Sequence, residues 1–105
     1  MTLGEHQLLN GLQPHARAHV LALMAACPHL TLTSGRRSAE RNRAVGGRKG
    51  SFHLLGRAAD FTGHPAVLAD ALDTARAQRI TKSCTGPEEA LCHDSGSGYH
   101  LHVAW

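Results

Sequence analysis

The last seven residues, Tyr-His-Leu-His-Val-Ala-Trp at 99–105, alternate without a break, and that alternation restricts the fold more than any other stretch of the chain. A period of two is the period of a β-strand. It sends Tyr99, Leu101, Val103 and Trp105 to one side and His100, His102 and Ala104 to the other. The apolar side needs cover, so the rest of the chain has to supply partner strands and something to pack beneath them. The imidazole side is left as a presented pair.

The cover is legible upstream. Thr2 and Glu5 have the spacing of a capping box ahead of Leu8, Leu9 and Leu12, which predicts a short first helix ending near Gly11. Pro14 opens a second helix. Its apolar stripe is Ala16, Val20, Leu23, Met24 and Cys27, and Pro28 stops it. Residues 30–34, Leu-Thr-Leu-Thr-Ser, alternate as a strand and run into a turn at Gly35. A short helix follows, capped by Ser38 and ended by Gly46 and Gly47, and then a loop at 48–51. Residues 57–61, Arg-Ala-Ala-Asp-Phe, have the apolar content of a buried strand. A helix opened by Pro65 buries Val67, Leu68, Ala71, Leu72 and Ala75. Residues 79–84 are a plausible strand, and 85–98 are expected to be turn-rich and poorly ordered. The expected architecture is α+β, with helices packed on a small, mostly antiparallel sheet in a single domain spanning 1–105.

The composition narrows the function classes. Hydrophobic residues make up 42% and charged residues 18%, as in a soluble globular protein, and no apolar run reaches the roughly 20 residues of a membrane span. The formal charge of +3 is compatible with anionic partners. The basic residues do not form the dense or aromatic-interleaved pattern expected for nucleic-acid binding, so a metal-dependent nuclease ranks last among the readings. Three cysteines, at 27, 84 and 92, lack the spacing of a thiolate zinc site. Cys84 and Cys92 would face each other across a hairpin, yet the odd count and the absence of a secretory leader favour free thiols. Without that leader the chain is expected to be made in a cytoplasm.

Nine histidines in 105 residues are the unusual count. Surface or capping roles suffice for His6, His15, His19, His29 and His64. His53 and Asp60, seven positions apart, become informative beside the terminal strand. Two imidazoles and one carboxylate suit zinc and leave a position for water, the pattern of catalytic rather than structural zinc sites. One of His100 and His102 would bind the metal and the other would exchange a proton or stabilise charge, with spacing leaving the choice open.

Three segments, Thr-Ser-Gly-Arg-Arg-Ser at 33–38, the run 45–61, and His-Leu-His-Val-Ala-Trp at 100–105, resemble in order the motifs of the zinc D-alanyl-D-alanine carboxypeptidase family. That group includes phage L-alanyl-D-glutamate endolysins and vancomycin-resistance dipeptidases. Ser51, His53, Gly56, Ala58 and Asp60 match every fixed position of Ser-x-His-x-x-Gly-x-Ala-x-Asp. The resemblance implies a hedgehog/DD-peptidase-like fold, one zinc ion held by His53, Asp60 and His102, and a peptidoglycan stem peptide as substrate. Arg37 matches the arginine of Ser-Gly-x-Arg and would bind substrate oxygen, and Ser51 is the second substrate-binding candidate.

Where some relatives carry an acidic general base three residues before the last ligand, this chain has Tyr99. His100 is then the expected proton-transfer residue, with Asp94, Glu88 and Glu89 as alternatives. A non-catalytic zinc-binding module of the same fold is the competing reading. The expected protein is a monomer acting on cell wall in the periplasm or on a virion, as a phage lytic enzyme would.

Overall fold

The computed structural model describes residues 1–78, 87–94 and 98–105. Among these, the helices are α1 (Leu3–Asn10), α2 (Pro14–Ala26), α3 (Ala39–Ala44) and α4 (Pro65–Ala77). The strands are β1 (Thr31–Ser34), β2 (Ala58–Thr62), β3 (Glu89–Asp94) and β4 (Tyr99–Ala104), and a 3-10 turn spans Phe52–Leu55. All strand pairs are antiparallel, in the order β1-β2-β4-β3.

Local chemistry accounts for most boundaries. The Thr2 hydroxyl accepts the Glu5 N–H while the Glu5 carboxylate accepts the Thr2 N–H, closing the expected capping box at the start of α1. The other Glu5 oxygen accepts the Leu32 N–H at 3.1 Å, so one carboxylate ties α1 to β1. Proline opens α2 and α4 at their first turns, where its missing N–H costs nothing. The Ser38 hydroxyl caps α3 and the His64 ring accepts the Ala66 N–H at the head of α4.

The alternation of β2 and β4 divides the molecule into two sides. Ala59 and Phe61 of β2, with Leu101, Val103 and Trp105 of β4, enter a core completed by Leu9, Val20, Leu23, Leu68 and Ala71 from the helices. Asp60, His100 and His102 emerge on the opposite face. Trp105 is buried by stacking on His19, with ring centroids 5.1 Å apart, and its carbonyl accepts from Arg57 Nε at 2.6 Å.

The segment 85–98 departs from expectation. Within it, Glu89–Asp94 is a six-residue strand, β3, not a loop. Its composition carries little strand preference. Pairing along the whole of β4, from Glu89 opposite Ala104 to Asp94 opposite Tyr99, supplies the order that propensity does not. His19 is also corrected: it is 5% exposed, stacked on Trp105 and bonded to Gln78, not a surface residue. Tyr99, expected on the covered side, is half exposed because it stands at the start of β4, beyond the core. Cys27 and Cys92 are free thiols, whereas Cys84 and the expected strand 79–84 lie outside the described residues.

Candidate metal centre

Register brings the first two donors together. Asp60 on β2 lies directly opposite His102 on β4, and the carboxylate oxygen Oδ1 is 3.0 Å from His102 Nδ1. The third donor arrives on the 3-10 turn. The Ser51 hydroxyl accepts the His53 N–H and starts that turn, and Gly56 ends it at φ 68°, in the left-handed region that favours glycine. A side chain at Gly56 would also meet the Gly11 carbonyl at 3.0 Å. So held, His53 is almost fully buried and its Nε2 lies 3.2 Å from Asp60 Oδ1. One donor atom from each of His53, Asp60 and His102 lies within 4.8 Å of the other two.

Hydrogen bonds on the far sides of the rings assign the tautomers. His53 Nδ1–H donates to the Gly35 carbonyl at 2.7 Å, which puts the lone pair of the neutral ring on Nε2, facing the carboxylate. His102 Nε2–H donates to Glu89 Oε1 at 2.9 Å, which puts the lone pair of the neutral ring on Nδ1, toward Asp60. Two lone pairs and a carboxylate converging on one point repel one another unless a cation joins them. This donor set fits a divalent metal ion.

The electrostatics agree with the geometry. Burial pushes the Asp60 carboxyl upward, but the His102 and His53 rings, which when protonated donate to it and carry charge, outweigh burial and hold Asp60 well below the usual carboxylate range. Burial opposes the charge on His102, yet its bonds to Asp60 and Glu89 raise it above the ordinary imidazole value. Glu89 is lowered despite burial, by His102 and by Arg48.

The remaining expected site residues take definite places. Arg37 donates from Nη2 to Asp60 Oδ2 at 2.9 Å and from Nη1 to Asn42 Oδ1 at 3.4 Å, and also lines the groove over the site. Ser51 lines the same groove while capping the turn. His100 Nδ1–H donates to the Gly98 carbonyl, and its Nε2 lies 4.0 Å from Asp60 Oδ1. Its ring shares a face with His102, as the alternation requires. Of the alternative carboxylates, Glu89 sits behind His102 and Glu88 pairs with Arg57 at 3.8 Å. Asp94, the last residue of β3, is exposed, and the alternation puts it on the strand side of Ala90 and Cys92, away from His93.

One neighbour went unnoticed in the sequence. His93 lies opposite His100 on β3, with ring centroids 4.5 Å apart, and its basicity is lowered by burial and by the charges of His100 and His102. Its only sequence signal was the alternation of Glu89, Leu91 and His93, hidden in a turn-rich segment. The groove over all these residues measures about 830 Å³, and its lining includes Arg36, Arg41, Arg48, Leu91 and Tyr99.

Helices α1, α2 and α4 against the core face of an antiparallel sheet, with three convergent donors on the other, define an α+β protein with a candidate open metal centre. The chain belongs to the peptidase M15 family: the family model described as Peptidase M15 matches residues 14–95. Its class of activity is therefore that of a metallopeptidase. The matched span contains His53 and Asp60 and ends before His100 and His102. No curated protein and no solved structure matches the chain.

Proposed function

We infer that this metallopeptidase is a zinc enzyme that hydrolyses peptidoglycan stem peptides. The observation that carries this reading is the pair of histidines whose bare nitrogens, Nε2 of His53 and Nδ1 of His102, face the same oxygen of Asp60. Those three residues would hold one zinc ion. Zinc in such a site supplies Lewis-acid polarisation of a carbonyl and lowers the pKa of water.

The surrounding residues would do the rest. His100, whose Nδ1–H is engaged by Gly98, offers Nε2 to take a proton and return it to the leaving amine. Arg37 orients Asp60 through one amino group and borders the groove, where it can meet a substrate carboxylate or carbonyl oxygen. Arg36, Arg41 and Arg48 favour an anionic peptide, as stem peptides with free carboxylates are. This chemistry suits a monomeric enzyme acting at the cell wall, of phage lytic or virion-associated kind.

Tyr99 at the position of an acidic base is the observation that favours the second reading, a zinc module without catalysis. Incubating zinc-loaded protein with purified peptidoglycan and with DNA, and weighing the products, tests both. Release of D-alanine identifies a carboxypeptidase, and cleavage between L-Ala and D-Glu an endopeptidase. Bound zinc with intact peptidoglycan would favour the module, and cleaved DNA would overturn the peptidase reading.

A further inference from the structure

We propose that Glu89, braced by Arg48, is a positioning residue that selects the tautomer of His102 and so presents Nδ1 to the metal centre. The inference rests on the zinc reading above and adds a role for a residue outside the three donors. Leu91 pairs directly with His102, so Glu89, two residues earlier on the same face of β3, is its diagonal neighbour. Glu89 Oε1 lies 2.9 Å from His102 Nε2, and Glu89 Oε2 accepts from Arg48 Nη2 at 2.7 Å.

The chemistry leaves one arrangement. An ionised carboxylate can only accept, so Nε2 must carry hydrogen, and a neutral ring then has its lone pair on Nδ1. Nδ1 is the atom 3.0 Å from Asp60. The Gly35 carbonyl performs the same task for His53 from the opposite ring nitrogen. The two histidines are therefore held as different tautomers, each with its bare nitrogen turned to Asp60. Outer hydrogen-bond partners of this kind commonly contribute about 10- to 100-fold to metal affinity. Because the whole imidazole stands between Glu89 and the donor cluster, Glu89 orients a donor and does not move protons at the reacting centre.

The full chain with Glu89→Ala and with Glu89→Gln tests this by zinc titration, by the visible spectrum of the cobalt-substituted protein, by melting of the metal-free protein, and by kcat and KM on peptidoglycan fragments at saturating zinc. A glutamine keeps an acceptor oxygen but no charge. The expected result is a 10- to 100-fold loss of zinc affinity and a shifted cobalt spectrum in Glu89→Ala, recovery of most of both in Glu89→Gln, and kcat in Glu89→Gln within a few-fold of wild type. Wild-type zinc affinity in both variants with kcat lowered about 10²- to 10⁴-fold would make Glu89 a general base and overturn the proposal. Lower melting of the metal-free protein with unchanged zinc affinity and spectrum would reduce Glu89 to a strand-pairing residue and overturn it too. Failure of the unsubstituted protein to bind zinc would instead remove the zinc reading itself, and this inference with it.

Discussion

Asp60 concentrates more interactions than any neighbour at the site. One oxygen faces His53, His102 and, further off, His100, while the other accepts from Arg37. The two terminal histidines should separate cleanly by role. His102→Ala is expected to lose zinc, because it removes a donor. His100→Ala is expected to keep zinc and lose about 10²- to 10⁴-fold in rate, the usual contribution of general acid–base catalysis. Parallel zinc titrations and peptidoglycan assays check both, and zinc loss in His100→Ala would exchange the roles. Arg37 should matter twice over. Arg37→Ala is expected to weaken zinc binding by about 10- to 100-fold through a less well oriented Asp60, and to lower turnover even at saturating zinc. Arg37→Lys should restore little of either, since a point charge does not reproduce the guanidinium fork that also reaches Asn42. Zinc affinity equal to wild type in Arg37→Ala would confine the residue to substrate binding.

The turn that delivers His53 is the most constrained short element. Its N–H groups are capped by Ser51, and its end at Gly56 requires both a positive φ and a close approach to the backbone of Gly11. Gly56→Ala should therefore cost about 1–2 kcal/mol from the left-handed conformation alone. The crowding against Gly11 adds to that. Urea unfolding of the metal-free variant measures the loss, and a stability equal to wild type would mean the turn rearranges freely. The opposite edge of the site depends on β3, which pairs only with β4 among the described strands and brings Glu89 and His93 to the imidazole face. Its inward residues Ala90 and Cys92 pack on the core, which fixes which side Glu89 takes.

Proton linkage reaches across the fold. His19 is buried and lowered below its ordinary value, mainly by burial, so the stability it contributes is present above that value and is lost as pH falls through its folded pKa. Glu5 is lowered by the backbone N–H groups of Thr2 and Leu32, and its contribution is lost in the same way at more acid pH. His102 has the opposite sign. Raised by Asp60 and Glu89 in the metal-free protein, it stabilises the fold below its ordinary value, and this contribution is lost as pH rises through the raised one. Zinc must displace that proton, so its affinity should fall as pH drops below the raised value. At zinc near 100 times its dissociation constant, binding adds about 2.7 kcal/mol. The gap in melting temperature between zinc-loaded and chelator-treated protein is thus expected to be widest in mildly alkaline solution and to close as pH falls. A gap independent of pH would exclude His102 as a donor.

Local periodicity made much of this protein legible. The alternation of 99–105, the proline-opened helices and the capping box at Thr2 and Glu5 are patterns contained within one element, and each appears as expected except that Tyr99, at the start of its strand, is exposed. The spacing of His53, Gly56 and Asp60 is likewise local, because a single tight turn joins the first to the strand of the last. What lay beyond reading depends on pairing between distant segments. β3 has no strong strand signal of its own and acquires its structure from β4, so Glu89 and His93 could not be assigned to the site face beforehand. The Gly35 carbonyl behind His53, Glu89 behind His102 and Arg37 on Asp60 are contacts across 18, 13 and 23 residues of chain. Residue type and spacing point to His53, Asp60 and one of the two terminal histidines, and the family resemblance singles out His102; only the packed sheet decides which nitrogen of each ring faces Asp60, because that is set by the acceptor the fold places behind it.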